Sequence, residues 1–290
     1  MAQPTAPAAH GIHGQRIRAA PHDWHVRIAG HGPDVLLLHG AGGSGASWER
    51  LMPLLPGFRL IAPDLPGQGQ TRPGAPRFGL PEMASDLAAL ARHAGWAPRI
   101  VLGHSAGAAI ALELAGLLDA RPRAVVGVNA ALSPFQGVAG WLFPRLARAM
   151  TLSPFMSHMV ARMAGAPPRI ARLIGSTGST ADPGMTRAYH ALMSDPRHVA
   201  GTLRMMAAWD LAPLLARLDR IDLPVLLLAG SKDRAVLPAV SHRSARRLPE
   251  AACIDLPGLG HLAHEEAPEA VAEILHPWLT RRAGAEGVAL

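Results

Sequence analysis

The sequence predicts an α/β domain: a mainly parallel central sheet flanked by helices, with an inserted all-helical cap. Three observations carry this. Short apolar strands alternate with helical segments through most of the chain, the pattern of successive β-α-β units. The alternation stops between Ser133 and Arg217, where helical patterning and breakers persist without a convincing strand. The pentapeptide Gly103-His104-Ser105-Ala106-Gly107 lies between an apolar strand and a small-residue helix, the setting of a sharp strand-to-helix turn.

The elements follow in order. Residues 1–20 read as a flexible N-terminal arm, rich in Ala, Pro and His over its first fifteen positions. Residues 24–28 form a strand, and 35–38 a strand apolar on both faces, hence covered on both sides. A glycine-rich loop, 39–47, leads into a short helix, 48–55, that ends near Pro56-Gly57. Strand 59–62 is closed by the turn-rich Pro63-Asp64-Leu65-Pro66-Gly67. Helix 80–94 has Pro81 in its first turn, where its missing N–H costs nothing. Strand 100–103 runs into Ser105, and helix 106–118 follows. Further strands are expected at 125–129, 225–229 and 252–256, and an amphipathic helix at 268–279 closes the core. The expected organisation is an arm (1–20), a core (21–132 and 218–282), a helical cap (133–217) and a C-terminal tail (283–290). Such a cap covers the strand ends where open α/β sheets place their sites.

Composition bounds the function. The 290 residues are 49% hydrophobic and 17% charged, enough apolar surface to fill a core. Cys253 is the single cysteine, so neither a disulfide framework nor a four-cysteine zinc site is available. The N-terminus lacks a basic start followed by an apolar run, and no stretch reaches the roughly 18 apolar residues that span a bilayer. The expectation is a soluble cytoplasmic protein, with peripheral contact at the inner membrane left open. Net charge is +7, carried by arginine apart from Lys232; this composition bias does not argue for a nucleic-acid partner.

Ser105 is the expected nucleophile. A serine hydroxyl needs a base beside it and must stand clear of the backbone. The strained turn that achieves this needs small residues two positions either side, which Gly103 and Gly107 supply. The base belongs late in the chain. His261, in Pro257-Gly258-Leu259-Gly260-His261, follows the last strand and is preferred over His264, which is expected to cap or pair locally beside Glu265 and Glu266. The acid is expected at Asp233, just after strand 225–229, with pairing to Lys232 or Arg234 as its plainer reading; Asp222 and Asp255 fit worse, and the position after strand 125–129 offers Asn129. Asp233 would hold the imidazole tautomer and stabilise the imidazolium. The oxyanion hole needs two backbone N–H groups. These are expected from Ala106 and, in His39-Gly40-Ala41-Gly42-Gly43, from Ala41.

Two competing patterns are set aside. Gly40-Ala41-Gly42-Gly43-Ser44-Gly45 matches a dinucleotide fingerprint with Asp64 downstream, but Pro53 and Pro56 deny it the long helix that fingerprint requires. His261 and His264 lack a carboxylate or cysteine cluster at ligand spacing, so no metal is expected, and no cofactor. The cap holds eight of the eleven methionines and sets nine arginines against three acids. Its methionines read as helix core or as the adaptable wall of a large apolar ligand's site. Its charge reads as a solvated face or as a surface for an anionic amphiphile, membrane or acidic partner.

From Leu37-Leu38-His39-Gly40 through Gly103–Gly107 to Gly260-His261 the chain resembles the α/β-hydrolase superfamily over nearly its whole length. One small departure is Gln68, where histidine is usual; it touches no catalytic role. The stretches Asn129-Ala130-Ala131-Leu132, Phe135–Gly140, Gly175–Ser179, His198-Val199-Ala200-Gly201, Met205–Leu211 and Leu259–Glu266 are similar to the magnesium-chelatase accessory proteins of bacteriochlorophyll biosynthesis (BchO). That resemblance implies a role beside magnesium insertion into protoporphyrin IX, with chelatase subunits as partners. It does not imply a reaction. The expected activity is a serine hydrolase cleaving ester or acyl bonds of a small apolar or amphiphilic substrate through an acyl-enzyme. A serine at this position argues against dehalogenase or epoxide-hydrolase chemistry, where an aspartate would stand. The alternatives are a non-catalytic porphyrin-binding or chaperone-like partner of the chelatase, and a general carboxylesterase of unrelated metabolism.

Overall fold

Period-two alternation organises the sheet. In the computed structural model, which describes residues 11–133 and 167–284, strand β3, Asp34–Leu38, is buried at every position. Its Val35 and Leu37 enter one hydrophobic core, and Leu36 and Leu38 enter the other. Strand β5, Ile100–His104, divides the same way, with Ile100 and Leu102 on one side and Val101 on the other. A strand apolar on both faces is stable only where both faces are covered. Here helices α1, Leu80–His93, and α2, Ala106–Ala115, cover one face, while the long helix α9, Pro268–Ala283, covers the opposite one with Trp48 and Leu51.

The eight strands are ordered β1-β2-β4-β3-β5-β6-β7-β8. The remaining ones are β1 (His13–Ala19), β2 (His22–Ala29), β4 (Arg59–Pro63), β6 (Ala124–Val128), β7 (Val225–Gly230) and β8 (Ala251–Leu256). Pairing is parallel from β4 to β8, and β2, antiparallel to both of its neighbours β1 and β4, is the one described strand that runs against the others. The expected sheet class therefore stands. The chain passes from β3 outward to β4 and then returns to place β5 on the other side of β3. The loops leaving β3 and β5 thus diverge and open a crevice at their carboxyl ends, where open α/β sheets hold ligands. Register brings Leu38 opposite Gly103, so the two loops start side by side.

The flexible arm expected over residues 1–20 needs correction: positions 13–19 are strand β1, paired along its full length with β2. The strand His-Gly-Gln-Arg-Ile-Arg-Ala is exposed at most positions and so carries no apolar alternation to read. Its arginines suit an edge, where charge discourages pairing with another chain. Residues 1–10 lie outside the described residues. The single helix expected at 48–55 is instead two 3₁₀ turns, Gly45–Trp48 and Met52–Leu54, because Pro53 interrupts the segment. Helix α9 runs on to Ala283 despite Pro277, ending at Gly284 in the left-handed region (φ 63°), so the expected tail starts later than position 283.

Between β6 and β7 the described residues are helical and contain no strand: α3 (Pro167–Ser176), α4 (Pro183–Met193), α5 (Pro196–Ala208) and the short α6 (Ala212–Leu215). Asp182 caps α4 by accepting from the Met185 N–H (2.8 Å), and Asp195 caps α5 through the Arg197 N–H (2.9 Å). Each is followed by proline at the first helical position. Residues 134–166, with Met150, Met156, Met159 and Met163, lie outside the described residues. Helix α7 (Pro238–Ala245) and the single-turn α8 (Ala263–Glu266) complete the described α-helices. No helix among the described residues is long and apolar enough to cross a membrane.

Candidate active site

Ser105 occupies a backbone conformation that side chains rarely adopt, with φ 52° and ψ −118°. It is held there by its neighbours. Its N–H donates to Val128 O (3.0 Å), and its carbonyl accepts from Ala108 N and Ala131 N (both 3.1 Å). The turn is so tight that a Cβ at position 103 would lie 2.2 Å from Gly107 O, and one at 107 would lie 2.3 Å from Leu38 O. Both clashes are with backbone, which explains the glycines physically.

The expected partners converge on this hydroxyl. His261 Nε2 lies 3.0 Å from Ser105 Oγ, and His261 Nδ1 lies 2.7 Å from Asp233 Oδ2. A carboxylate only accepts, so Nδ1 carries the proton and Nε2 is free to accept from the serine hydroxyl. The plainer reading of Asp233, pairing with Lys232 or Arg234, is not what forms. Its Oδ1 accepts from the Ala235 and Val236 N–H groups (both 2.8 Å), which leaves Oδ2 for the imidazole. Asp233 and His261 are buried, and Ser105 is half-buried.

Three side chains not singled out as functional by the sequence reading hold this line in place. Asn129 directly follows β6 with φ 49°, and its side chain makes three hydrogen bonds. Its Nδ2 donates to Gly260 O (2.8 Å) and His261 O (2.7 Å), and its Oδ1 accepts from Gly230 N (2.6 Å). One amide thus ties β6, β7 and the histidine loop together. His104, inside the pentapeptide, donates from Nε2 to His261 O (2.8 Å). Glu266 accepts from Gly260 N (3.0 Å) and Thr180 N (3.1 Å), fixing the same loop to the inserted helical segment. Asn129 carried a signal: it is a polar residue directly after an apolar strand, at the carboxyl edge of the sheet.

His264 departs from expectation. It is fully buried, stacked on Trp48 (centroids 4.4 Å) and His104 (4.5 Å), and neither ring nitrogen finds a hydrogen-bond partner among the described residues. Its Nε2 is 3.8 Å from Glu265 Oε1, yet the two do not form an ion pair at neutral pH. Burial, reinforced by His261, pushes His264 down to about 3, and burial pushes Glu265 up to about 8, so both are neutral. The local pairing expected from sequence fails because both groups are too deep to charge. Burial also holds His104 well below the usual imidazole range, with His264 and His261 adding to the effect.

Glu265 therefore makes stability depend on pH. The folded protein keeps a proton that the unfolded chain releases above about pH 4.5, so stability falls as pH rises from about 4.5 to about 8 and levels off above it. Glu265→Gln keeps an acceptor for the Tyr189 hydroxyl, which now donates at 2.8 Å, and removes the titration. The expected result is a flatter dependence of Tm on pH, with the variant more stable than the native protein above pH 8. Identical slopes of Tm against pH for the two between about pH 5 and 8 would exclude this role.

Beside Ser105, where a Cβ on Gly40 would lie 3.0 Å from the Ser105 Cβ, Gly43 N donates to Gly40 O (3.1 Å), closing a turn with Ala41 and Gly42 at its corners. Gly42 has φ +78°, which the third position of a type II turn requires. His39 Nδ1 also donates to Gly40 O (2.8 Å), and its Nε2 accepts from Leu65 N (2.9 Å). This uses the neutral ring, consistent with burial pushing His39 down to about 4. The Ala41 and Ala106 N–H groups donate to no protein atom among the described residues. Asp64, the acid of the rejected dinucleotide pattern, accepts from Gly45 N (2.7 Å) and Gln70 N (2.8 Å) and faces His25 and Arg27. It knits two loops together, and the expected absence of a long helix is observed.

Among the described residues, the one trio of possible metal ligands is His242, Cys253 and Asp255. It spans α7 and the edge strand β8, three strands along the sheet from β5, and His242 Nε2 already shares a hydrogen bond with Asp255 (2.8 Å).

Residues 33–268 match the profile of the alpha/beta hydrolase fold. Over 268 residues the chain is 47% identical to the magnesium-chelatase 30 kDa subunit of Rhodobacter capsulatus, covering 91% of this chain and 93% of that protein. It is 29% identical over 257 residues to the pimeloyl-[acyl-carrier protein] methyl ester esterase of Xanthomonas campestris, covering 87% and 97%. A solved thermophilic esterase from Thermogutta terrifontis superposes with a TM-score of 0.73 at 25% identity, covering 93% and 99%.

Proposed function

The chain belongs to the α/β-hydrolase fold family, and from that premise we propose a serine hydrolase that serves as an accessory factor for magnesium insertion into protoporphyrin IX. The observation that carries the hydrolase half is the unbroken line from Ser105 Oγ through His261 to Asp233, at 3.0 and 2.7 Å. In this reading His261 takes the serine proton as Ser105 attacks an ester or acyl carbonyl. The Ala41 and Ala106 N–H groups receive the developing oxyanion, Asp233 stabilises the imidazolium, and water resolves the acyl-enzyme. The likeness to a magnesium-chelatase subunit supports the accessory half, with chelatase subunits as partners. The proposed location is the cytoplasm.

The same likeness favours a second reading, a non-catalytic partner that binds porphyrin or assists the chelatase. A porphyrin is large, flat and apolar with two carboxylates, which suits exposed arginines such as Arg172 and Arg187. The methionines give it less support where they are described. Met185 and Met205 are buried, and Met193 packs partly buried against the small cluster that contains Met185, so these three are helix core rather than a ligand wall.

Labelling with a fluorophosphonate probe tests the hydrolase reading. The native protein should label, and Ser105→Ala should not. An unlabelled native protein would overturn the hydrolase reading in favour of the binding role. That role in turn requires a change in porphyrin absorbance or fluorescence on mixing.

A further inference from the structure

The turn that carries Ala41 is gripped from the inserted helical segment, and we infer that His198 on α5 is a positioning residue for the oxyanion turn, coupling the seating of α5 to the reactivity of Ser105. This rests on the reading of Ser105 as nucleophile and Ala41 as oxyanion donor.

The turn has an inner and an outer half. The inner half is fixed by the core alone. Gly40 O accepts from Gly43 N and His39 Nδ1, and in a trans peptide the N–H points opposite the C=O, so these bonds aim the Ala41 N–H. The outer half, Gly42, is fixed from elsewhere. Its N–H donates to Gln68 Oε1 (2.7 Å), and its carbonyl accepts from His198 Nε2 (3.2 Å). The other nitrogen of the same ring, Nδ1, accepts from Gly69 N (2.9 Å). His198 thus uses both nitrogens, as a neutral ring protonated at Nε2, to bridge the loop after β3 and the loop after β4. It is buried to 1% exposure, so neither contact is shared with bulk water.

The contact is backbone-close on the same helix. A Cβ at position 201 would lie 1.9 Å from Gly67 O, so α5 reaches this depth only because residue 201 is glycine. Gln68 adds a further tie, its Nε2 lying 3.1 Å from Met205 Sδ. Any displacement of α5 therefore breaks the bond to Gly42 O and leaves Gln68 alone to hold the tip of the turn. An oxyanion donor that is not preorganised loses most of its value, and removing one outright costs roughly 10²–10³ in rate.

His198→Phe keeps the ring volume without the hydrogen bonds, and His198→Gln keeps a donor and an acceptor. The expected result is that the Phe variant phosphonylates Ser105 with a fluorophosphonate at least about tenfold more slowly than native, while the Gln variant recovers part of the loss. With a p-nitrophenyl ester the loss should fall on kcat rather than KM, which a mere change of access would not produce. Hydrogen exchange on the unmodified protein gives a test independent of any variant: the Gly69 amide should exchange with the same protection as the amides of α5. If native protein labels, but the Phe variant labels at the native rate or Gly69 exchanges independently of α5, the coupling is wrong and the nucleophile reading stands. If native protein does not label, the nucleophile reading falls and the inference falls with it.

Discussion

Replacing His261 with alanine is expected to slow Ser105 acylation by a factor on the order of 10⁴ to 10⁶, with binding little changed. The serine proton then has no acceptor, since His261 Nε2 is the base within 3.0 Å of Oγ. Asp233→Asn should cost on the order of 10⁴, or about 5 kcal/mol of barrier, by a different route. Two backbone N–H groups, Ala235 and Val236, point at Oδ1 of residue 233. They would force the oxygen of an asparagine to that side and turn its NH₂ toward His261. The imidazole would then accept at Nδ1 and carry its proton at Nε2, the tautomer that cannot take the serine proton. Hydrolysis of p-nitrophenyl acetate and the rate of fluorophosphonate labelling both report this. A labelling rate unchanged in either variant would remove His261 and Asp233 from the mechanism.

Substitution of Asn129 should produce the next largest effect, here on stability and activity together. Asn129→Ala leaves Gly230 N–H and Gly260 C=O without their partners in a buried site, at a cost of about 3 kcal/mol. Asn129→Asp is isosteric and yet no milder. One oxygen can still accept from Gly230 N, but the other would face the Gly260 and His261 carbonyl oxygens that the amide NH₂ now serves. That side chain is neutral only when protonated, so its penalty should lessen at low pH. Thermal unfolding of both variants at acid and neutral pH measures this, and a native-like Tm for Asn129→Asp at neutral pH would show that the clamp contributes nothing. The same geometry predicts that Asn129→Asp does not rescue Asp233→Asn. Residue 129 grips the main chain of the histidine loop rather than the imidazole.

The parts of this site legible in the sequence are those fixed by local constraint. Gly103 and Gly107 are dictated by a turn with no room for a Cβ, and both sit within two residues of Ser105. Asp233 and His261 were found by position, because each follows a strand at the edge where the crevice opens. His264 shows the limit. Beside Glu265 and Glu266 it reads as a residue that caps or pairs locally, but in the fold it lies under Trp48 and His104, where charging it is too costly. Strand β1 shows another limit. An exposed edge strand is held by backbone hydrogen bonds, and those leave no hydrophobic pattern to read.

The motif at Asn129, the run Gly175–Ser179 and the run His198–Gly201 were visible as sequence but silent as to purpose. In the folded chain, Gly178 lies against Lys232 O, where a Cβ would come within 1.8 Å, and Ser179 Oγ accepts from Leu262 N (2.8 Å), beside Asp233 and His261 respectively. Gly201 presses on Gly67, and His198 holds Gly42. By itself the sequence determined the sheet class, the nucleophile turn and the identities of its candidate partners, because each depends on short-range periodicity or on steric limits within a few residues. Only the tertiary structure decided how those groups are held, because the hydrogen bonds of Asn129, His104, Glu266 and His198 join segments up to 157 residues apart, and burial rather than residue type settles which of the histidines is free to act.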